Sequence, residues 1–158
     1  MTEPRRIKPA KRNDAFIEML LEEGVFETKQ AAMMFAAAVG YRYDSRQALD
    51  AGGEGIRWSI FEKNRDDAFI NALALAVKRD LAVLDSDAAQ NDDLATIFEE
   101  YAAGGFEYLN QYVRDTPGDV LDNLLALIQQ FRTSQRETPA GLEGLDRSAL
   151  ELLGELEP

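Results

Sequence analysis

Apolar positions along this chain recur three and four residues apart, the spacing of helices, and almost nowhere with the alternation of strands. "NDAFIEMLLEEG" puts Phe16, Ile17, Leu20 and Leu21 on one stripe, with Asn13 where a cap belongs and Gly24 where a helix stops. It predicts a first helix over 14–23. "FETKQAAMMFAAAVGYR" then places nine consecutive apolar residues at 31–39. Thr28 as N-cap and Gly40 as a left-handed C-cap predict a helix over 29–39, apolar on nearly every side. Such a helix belongs inside, its alanines letting neighbours come close, and an exposed docking surface is the alternative.

Residues 41–55 lose the period and collect glycines, so they read as a loop. "IRWSIF" suits either one short extended segment or a turn of helix. "DDAFINALALAVKR" predicts a third helix capped by Asn64 or Asp66, with acids in its first turn and Lys78 and Arg79 in its last. Leu94, Ile97, Phe98, Tyr101, Gly105, Tyr108, Leu109 and Tyr112 keep one face across the pair Gly104-Gly105. A turn would have no reason to hold that register, so one helix over 92–114 is expected, with the glycines admitting close approach or a kink. Two helices joined at the pair are the alternative, since an interior glycine costs about 1 kcal/mol relative to alanine. Thr116-Pro117 opens a fifth helix, with Val120, Leu121, Leu124, Leu127, Ile128 and Phe131 as its stripe. "LDRSALELLGELEP" spells a short amphipathic helix with Asp146 as cap and Leu150, Leu152 and Leu153 as its face.

These patterns predict an all-α (mainly α) fold: a single compact bundle of five to six helices with at most one short extended segment. Its core is expected to hold Phe35, Val39, Phe69, Leu73, Phe98, Tyr101, Leu124 and Ile128 together. Residues 1–12 read as a basic, disordered arm, 13–132 as the helical domain, and 133–158 as an acidic tail with a short helix.

Charge sharpens that division. The formal net charge is −12, yet residues 1–12 carry +4, leaving −16 for the remainder. A body this acidic repels phosphates, so any DNA contact is assigned to Arg5, Arg6, Lys8, Lys11 and Arg12. The apolar run is too short to cross a bilayer, which takes about 20 residues, and "MTEPRRIKPAKR" lacks the apolar core of a signal peptide. A cytoplasmic location without membrane contact is expected.

The chain has neither cysteine nor histidine. That removes thiolate and imidazole nucleophiles, bases and metal ligands, and leaves carboxylate-held Mg²⁺, a Ser/Lys pair or paired carboxylates as routes to catalysis. "ETK" at 27–29, with Asp14 upstream, has the form of a restriction-nuclease metal motif, but it opens a helix, so capping explains it better. "NDD" at 91–93 reads as a cap, Glu99 and Glu100 as a solvated face, and "AGGEG" lacks the lysine and hydroxyl of a phosphate loop. No catalytic, metal or cofactor site is expected. Arg42, Arg46, Arg57 and Trp58, interleaved with Tyr41 and Tyr43 around the glycine loop, are the candidates for a partner surface. The competing reading has those arginines paired with Asp44, Asp50 and Glu54 while the aromatics pack inward.

Taken in order, "GVFETKQAAMMFAAAVGYRY", "GIRWSIFEKNRDDAFINALALA", "IFEEYAAGGFEYL" and "GDVLDNLLALI" resemble the small accessory proteins of bacterial DNA phosphorothioation (dnd) systems. The likeness runs from about Asp14 to Phe131. It implies a process in which sulfur replaces a non-bridging phosphate oxygen of DNA and companion proteins restrict unmodified DNA. No catalytic residue carries over, so the resemblance implies a non-enzymatic accessory or adaptor subunit whose partners are other proteins of the same locus. DNA would be met weakly or through those partners, and self-association stays open. An acidic DNA-mimic regulator and a Mg²⁺-dependent nuclease are the alternatives.

Overall fold

The computed structural model describes residues 5–84 and 91–134, and among them it holds six α-helices, two 3-10 turns and no sheet. The helices are α1 (Asp14–Glu22), α2 (Lys29–Arg42), α3 (Trp58–Lys63), α4 (Asp67–Lys78), α5 (Asp92–Asp115) and α6 (Val120–Ser134). The all-α expectation is met. The chain divides into two units, Met1–Pro117 and Gly118–Pro158.

Caps explain where several helices begin. Thr28 accepts from the Ala31 N–H, and Asn91 accepts from the N–H groups of Asp93 and Leu94, each meeting donors that a first turn leaves unpaired. Gly24 closes α1 at φ 69°, a left-handed conformation that suits glycine. Two expected caps behave otherwise: neither Asn13 nor Asp66 makes a side-chain cap bond, although each stands at the N-cap position. Segment "IRWSIF" resolves into both alternatives, because Ile56 makes an isolated bridge and Trp58 starts α3.

α5 runs unbroken through Gly104 and Gly105, and the reason lies on α2. A Cβ on Gly105 would collide with the Ala36 carbonyl, one on Gly40 with the Tyr101 carbonyl, and one on Gly104 with the Ser45 carbonyl. The two helices therefore cross with backbone against backbone, which only residues without a side chain permit. Gly40 is thus not the expected C-cap: α2 continues to Arg42, and the residue at positive φ is Asp44. The chain then turns back along α5, with Ser45 N–H bonding the Gly40 carbonyl at 2.7 Å and Gln47 N–H the Glu100 carbonyl at 3.1 Å.

So close a crossing settles which side chains are core. Ala32, Met33, Ala36, Ala37, Val39 and Gly40 form the buried face of α2, so Phe35, expected inside, is half-buried and its ring meets Phe26 at 5.5 Å. On α4 the interior face is Ile70, Leu73 and Ala74, leaving Phe69 half-buried as well. Val39, Leu73, Phe98 and Tyr101 are buried as expected, joined by Phe61 and Phe106.

Residues 5–12 correct the sequence reading most. Far from being unordered, they run antiparallel to residues 51–56, with Ile7 and Ile56 exchanging both backbone bonds at 2.9 and 2.7 Å, and Gly53 N–H bonding the Pro9 carbonyl at 2.8 Å. Ile7 and Ala10 are each only 1% exposed. Burial of these two side chains fixes the segment, which its basic composition concealed.

In the second unit, Asp119 rather than Thr116 begins α6, its Oδ1 accepting from Leu121 N–H and Asp122 N–H. Leu124 and Leu127 are buried, whereas Leu121, Leu125 and Ile128 are exposed; Ile128, expected in the core, is 36% accessible. The short helix expected within 145–158 lies outside the described residues.

Candidate interaction surfaces

Most of the cations assigned to nucleic acid face the protein itself. Arg5 reaches Asp92 Oδ1 at 2.8 Å and Glu99 Oε2 at 2.9 Å, while Lys8 N–H donates to Glu99 Oε1 at 2.7 Å. Glu99 was read as part of a solvated face and is instead a buried carboxylate that clamps the N-terminal segment to α5. Burial pushes its carboxyl above the usual range; the Lys8 N–H and the Arg5 guanidinium oppose that without cancelling it. Arg6 donates to the Gly55 carbonyl at 3.4 Å, and the stem of Lys8 lies along Gly52 and Gly55. Arg12 donates to the Ala48 carbonyl and to Gln47, both at 3.2 Å. Lys11 is exposed.

The partner candidates separate into two places. Arg42 and Arg46 stand at the C-terminal end of α2 with Tyr41 and Tyr43, whereas Arg57 and Trp58 stand near its N-terminal end, roughly 20 Å away along a helix of this length. Trp58 is 3% exposed, its indole N–H donating to Glu62 at 2.9 Å and its ring stacked on Phe61, so it is part of the core. The exposed Arg57 stands at the N-cap position of α3, at the rim of a groove.

At the C-terminal end of α2 the aromatics form an ordered platform. Tyr43 stacks on Tyr108 of α5 with ring centroids 4.0 Å apart, and Tyr41 meets Tyr101 edge-on at 5.7 Å. Tyr41 and Tyr43 remain 48% and 39% exposed. Arg46 is held over Tyr101, its Nε 2.5 Å from Glu100 and its guanidinium 5.5 Å from the centre of the Tyr101 ring. Exposed Arg42 completes the group. Burial, with the Tyr43 hydroxyl close by, pushes the Tyr108 phenol up to about 12. Of the acids weighed from the sequence, Asp50 lies 3.9 Å from Arg12 and Glu54 lies 3.8 Å from Lys29, while Arg46 takes Glu100. Tyr108 was legible only as one more position on the α5 stripe; its place under Tyr43 depends on how α2 and α5 cross.

The groove has a volume of about 950 Å³ and opens at the start of α2, between Phe26, Lys29, Ile56, Arg57 and Ile60. A polar chain lines one side, where Asn64 donates to Gln30 and Gln30 bonds the Asp66 carboxylate. Partial burial, with Asp67 adjacent, raises the Asp66 carboxyl above its usual range. Among the described residues no group of three acids, histidines or cysteines could hold a metal, and no helix is long and apolar enough to cross a membrane.

These features define an all-helical protein with an aromatic and arginine platform held on a tight helix crossing. The family model for DNA sulphur modification system-associated protein 4 matches residues 6–145, and the chain belongs to that family. No curated protein and no solved structure matches it.

Proposed function

We propose that this chain is a non-enzymatic adaptor of a DNA phosphorothioation-linked modification or restriction system, and that it works by binding other proteins of that system through Tyr41, Arg42, Tyr43 and Arg46. The observation that carries the reading is the platform itself: exposed tyrosines fixed in place by Tyr108 and Tyr101, in a chain whose family is associated with DNA sulphur modification. Rigid aromatic and arginine side chains lose little freedom on binding, which is why they anchor interfaces. A direct role on DNA finds less support, because Arg5 and Arg12 already have partners within the fold and the whole chain carries −12. Copurification from a strain carrying the native locus tests the proposal. Tyr43→Ala combined with Arg42→Ala should keep the helical circular dichroism spectrum and release the partner by at least about tenfold, the loss typical of removing interface anchors. Retention of every partner by that variant, or DNA cleavage by the purified protein with Mg²⁺, would defeat it.

A further inference from the structure

We propose that the groove at the start of α2 captures an extended, acidic segment of another protein, which adds to residues 54–57 as a further strand. The site is separate from the tyrosine platform, which stands at the opposite end of α2.

Backbone geometry carries the argument. Ile56 turns its N–H and its carbonyl to Ile7, at 2.7 and 2.9 Å, so the backbone groups of Gly55 and Arg57 on either side of it turn the other way. Both residues line the groove. Neither the Gly55 N–H nor the Arg57 N–H has an acceptor among the described residues. The Gly55 carbonyl accepts a long bond from Arg6 at 3.4 Å and has a second lone pair to offer. A strand edge of this kind pairs with an incoming chain through main-chain bonds. A residue exchanging both bonds with Gly55 would repeat on the outer side what Ile7 does for Ile56 on the inner.

Side chains around the edge select the chemistry of the occupant. Phe26, Ile56 and Ile60 line the groove and Ile60 is 42% exposed, so alternate residues of an added strand meet apolar surface. Arg57 is exposed and forms no ion pair among the described residues, in a chain where acids outnumber cations by 29 to 17. Of the three carboxylates lining the groove, Glu54 stands 3.8 Å from Lys29 and Asp66 is bonded by Gln30, which leaves Glu27 to oppose an incoming acid. Arg6 adds a second cation on the same wall as Arg57. A nucleic acid would bring phosphate charge but not the regular amide and carbonyl spacing that this edge pairs with. A second copy would bring its own net charge of −12 against the first.

The probe is a blocked heptapeptide alternating glutamate and valine, titrated into the isotope-labelled full-length protein and followed by nuclear magnetic resonance. Saturable shifts should appear at the Gly55 and Arg57 amides, and hydrogen exchange at both should slow. N-methylation of the central peptide amide should weaken binding by about tenfold, as should exchange of every glutamate for lysine. Ile60→Asp, at an exposed position, should weaken it similarly while keeping the helical circular dichroism spectrum. Arg42→Ala combined with Tyr43→Ala changes the platform and should leave the affinity for this peptide unaltered, so the two sites stand or fall separately. Absence of shifts at Gly55 and Arg57 at about 5 mM peptide, several times a millimolar dissociation constant, would overturn the proposal. Equal binding of the N-methylated or the lysine peptide would overturn it as well. Tighter binding of a single-stranded thymidine oligonucleotide at the same amides would also overturn it, and would assign Arg57 to nucleic acid.

Discussion

Gly105 shows how a single residue can set the distance between two helices. Its absent side chain leaves room for the Ala36 carbonyl, which is backbone and cannot rotate away, so Gly105→Ala must push α2 and α5 apart. The expected loss is about 1–3 kcal/mol, the usual cost of overpacking, despite alanine's better helix propensity. Urea denaturation would show it, and an unchanged midpoint would mean that the crossing is looser than described. Tyr108 gives a second test at this scale. Its folded pKa of about 12 lies above the ordinary 10.0, so its contribution to stability is complete below pH 10 and is lost as pH rises through about 12. Ultraviolet titration should find a late phenolate step that vanishes in Tyr108→Phe and moves to lower pH in Tyr43→Phe, which removes the neighbouring hydroxyl. A late step surviving in Tyr108→Phe would assign it to another tyrosine.

The N-terminal segment owes its order to partners far along the sequence. Arg5 and Asp92 are 87 residues apart, and Ile7 pairs with Ile56 across 49. Ile7→Ala should therefore cost about 2–5 kcal/mol, as for other fully buried isoleucines, and lower the melting temperature of the whole unit. If Ile7→Ala melts like the parent, the segment is not part of the core. The same separation explains why its order was hidden: five cations in twelve residues look like a solvated arm until the distant acids Asp92 and Glu99 are set beside them. Where the determining contacts lie within one helix, the sequence was legible, as in the Thr28 and Asn91 caps and the unbroken register of α5. Gly40 was misread because glycine at a helix end fits a left-handed cap as well as a close crossing, and only Gly104 and Gly105 on α5 distinguish the two. Phe35 stands less deep and Trp58 deeper than the sequence suggests, for a related reason. A face of alanine and glycine in backbone contact has no room for a phenyl ring, whereas the start of α3 turns its indole onto Phe61. Of the expected partner surface, Arg42 and Arg46 with their tyrosines stand together; Arg57 and Trp58 are separated from them by the length of α2.

For the molecule as a whole, charge and buried carboxylates act on stability in the same direction. Glu99 and Asp66 both have folded pKa values raised above their ordinary 4.5 and 3.8, chiefly by burial. The folded protein thus holds protons more tightly than the unfolded chain, so this contribution is complete below the ordinary carboxylate values and is lost as pH rises through the raised ones. Self-repulsion of a chain with net charge −12 at pH 7 adds to that loss as further acids ionise. The melting temperature should therefore be higher at pH 5 than at pH 8 in low salt. Salt separates the two causes, because it screens the spread surface charge and leaves a carboxylate as buried as Glu99 almost untouched. Raising the salt should shrink the difference without abolishing it, and Glu99→Gln, which cannot titrate, should reduce what remains. Melting curves of parent and variant at two pH values and two salt concentrations decide the matter. A parent protein that grows more stable from pH 5 to pH 8 would show that the Arg5 ion pair outweighs the burial of Glu99, and that the clamp on the N-terminal segment is strongest when Glu99 is charged.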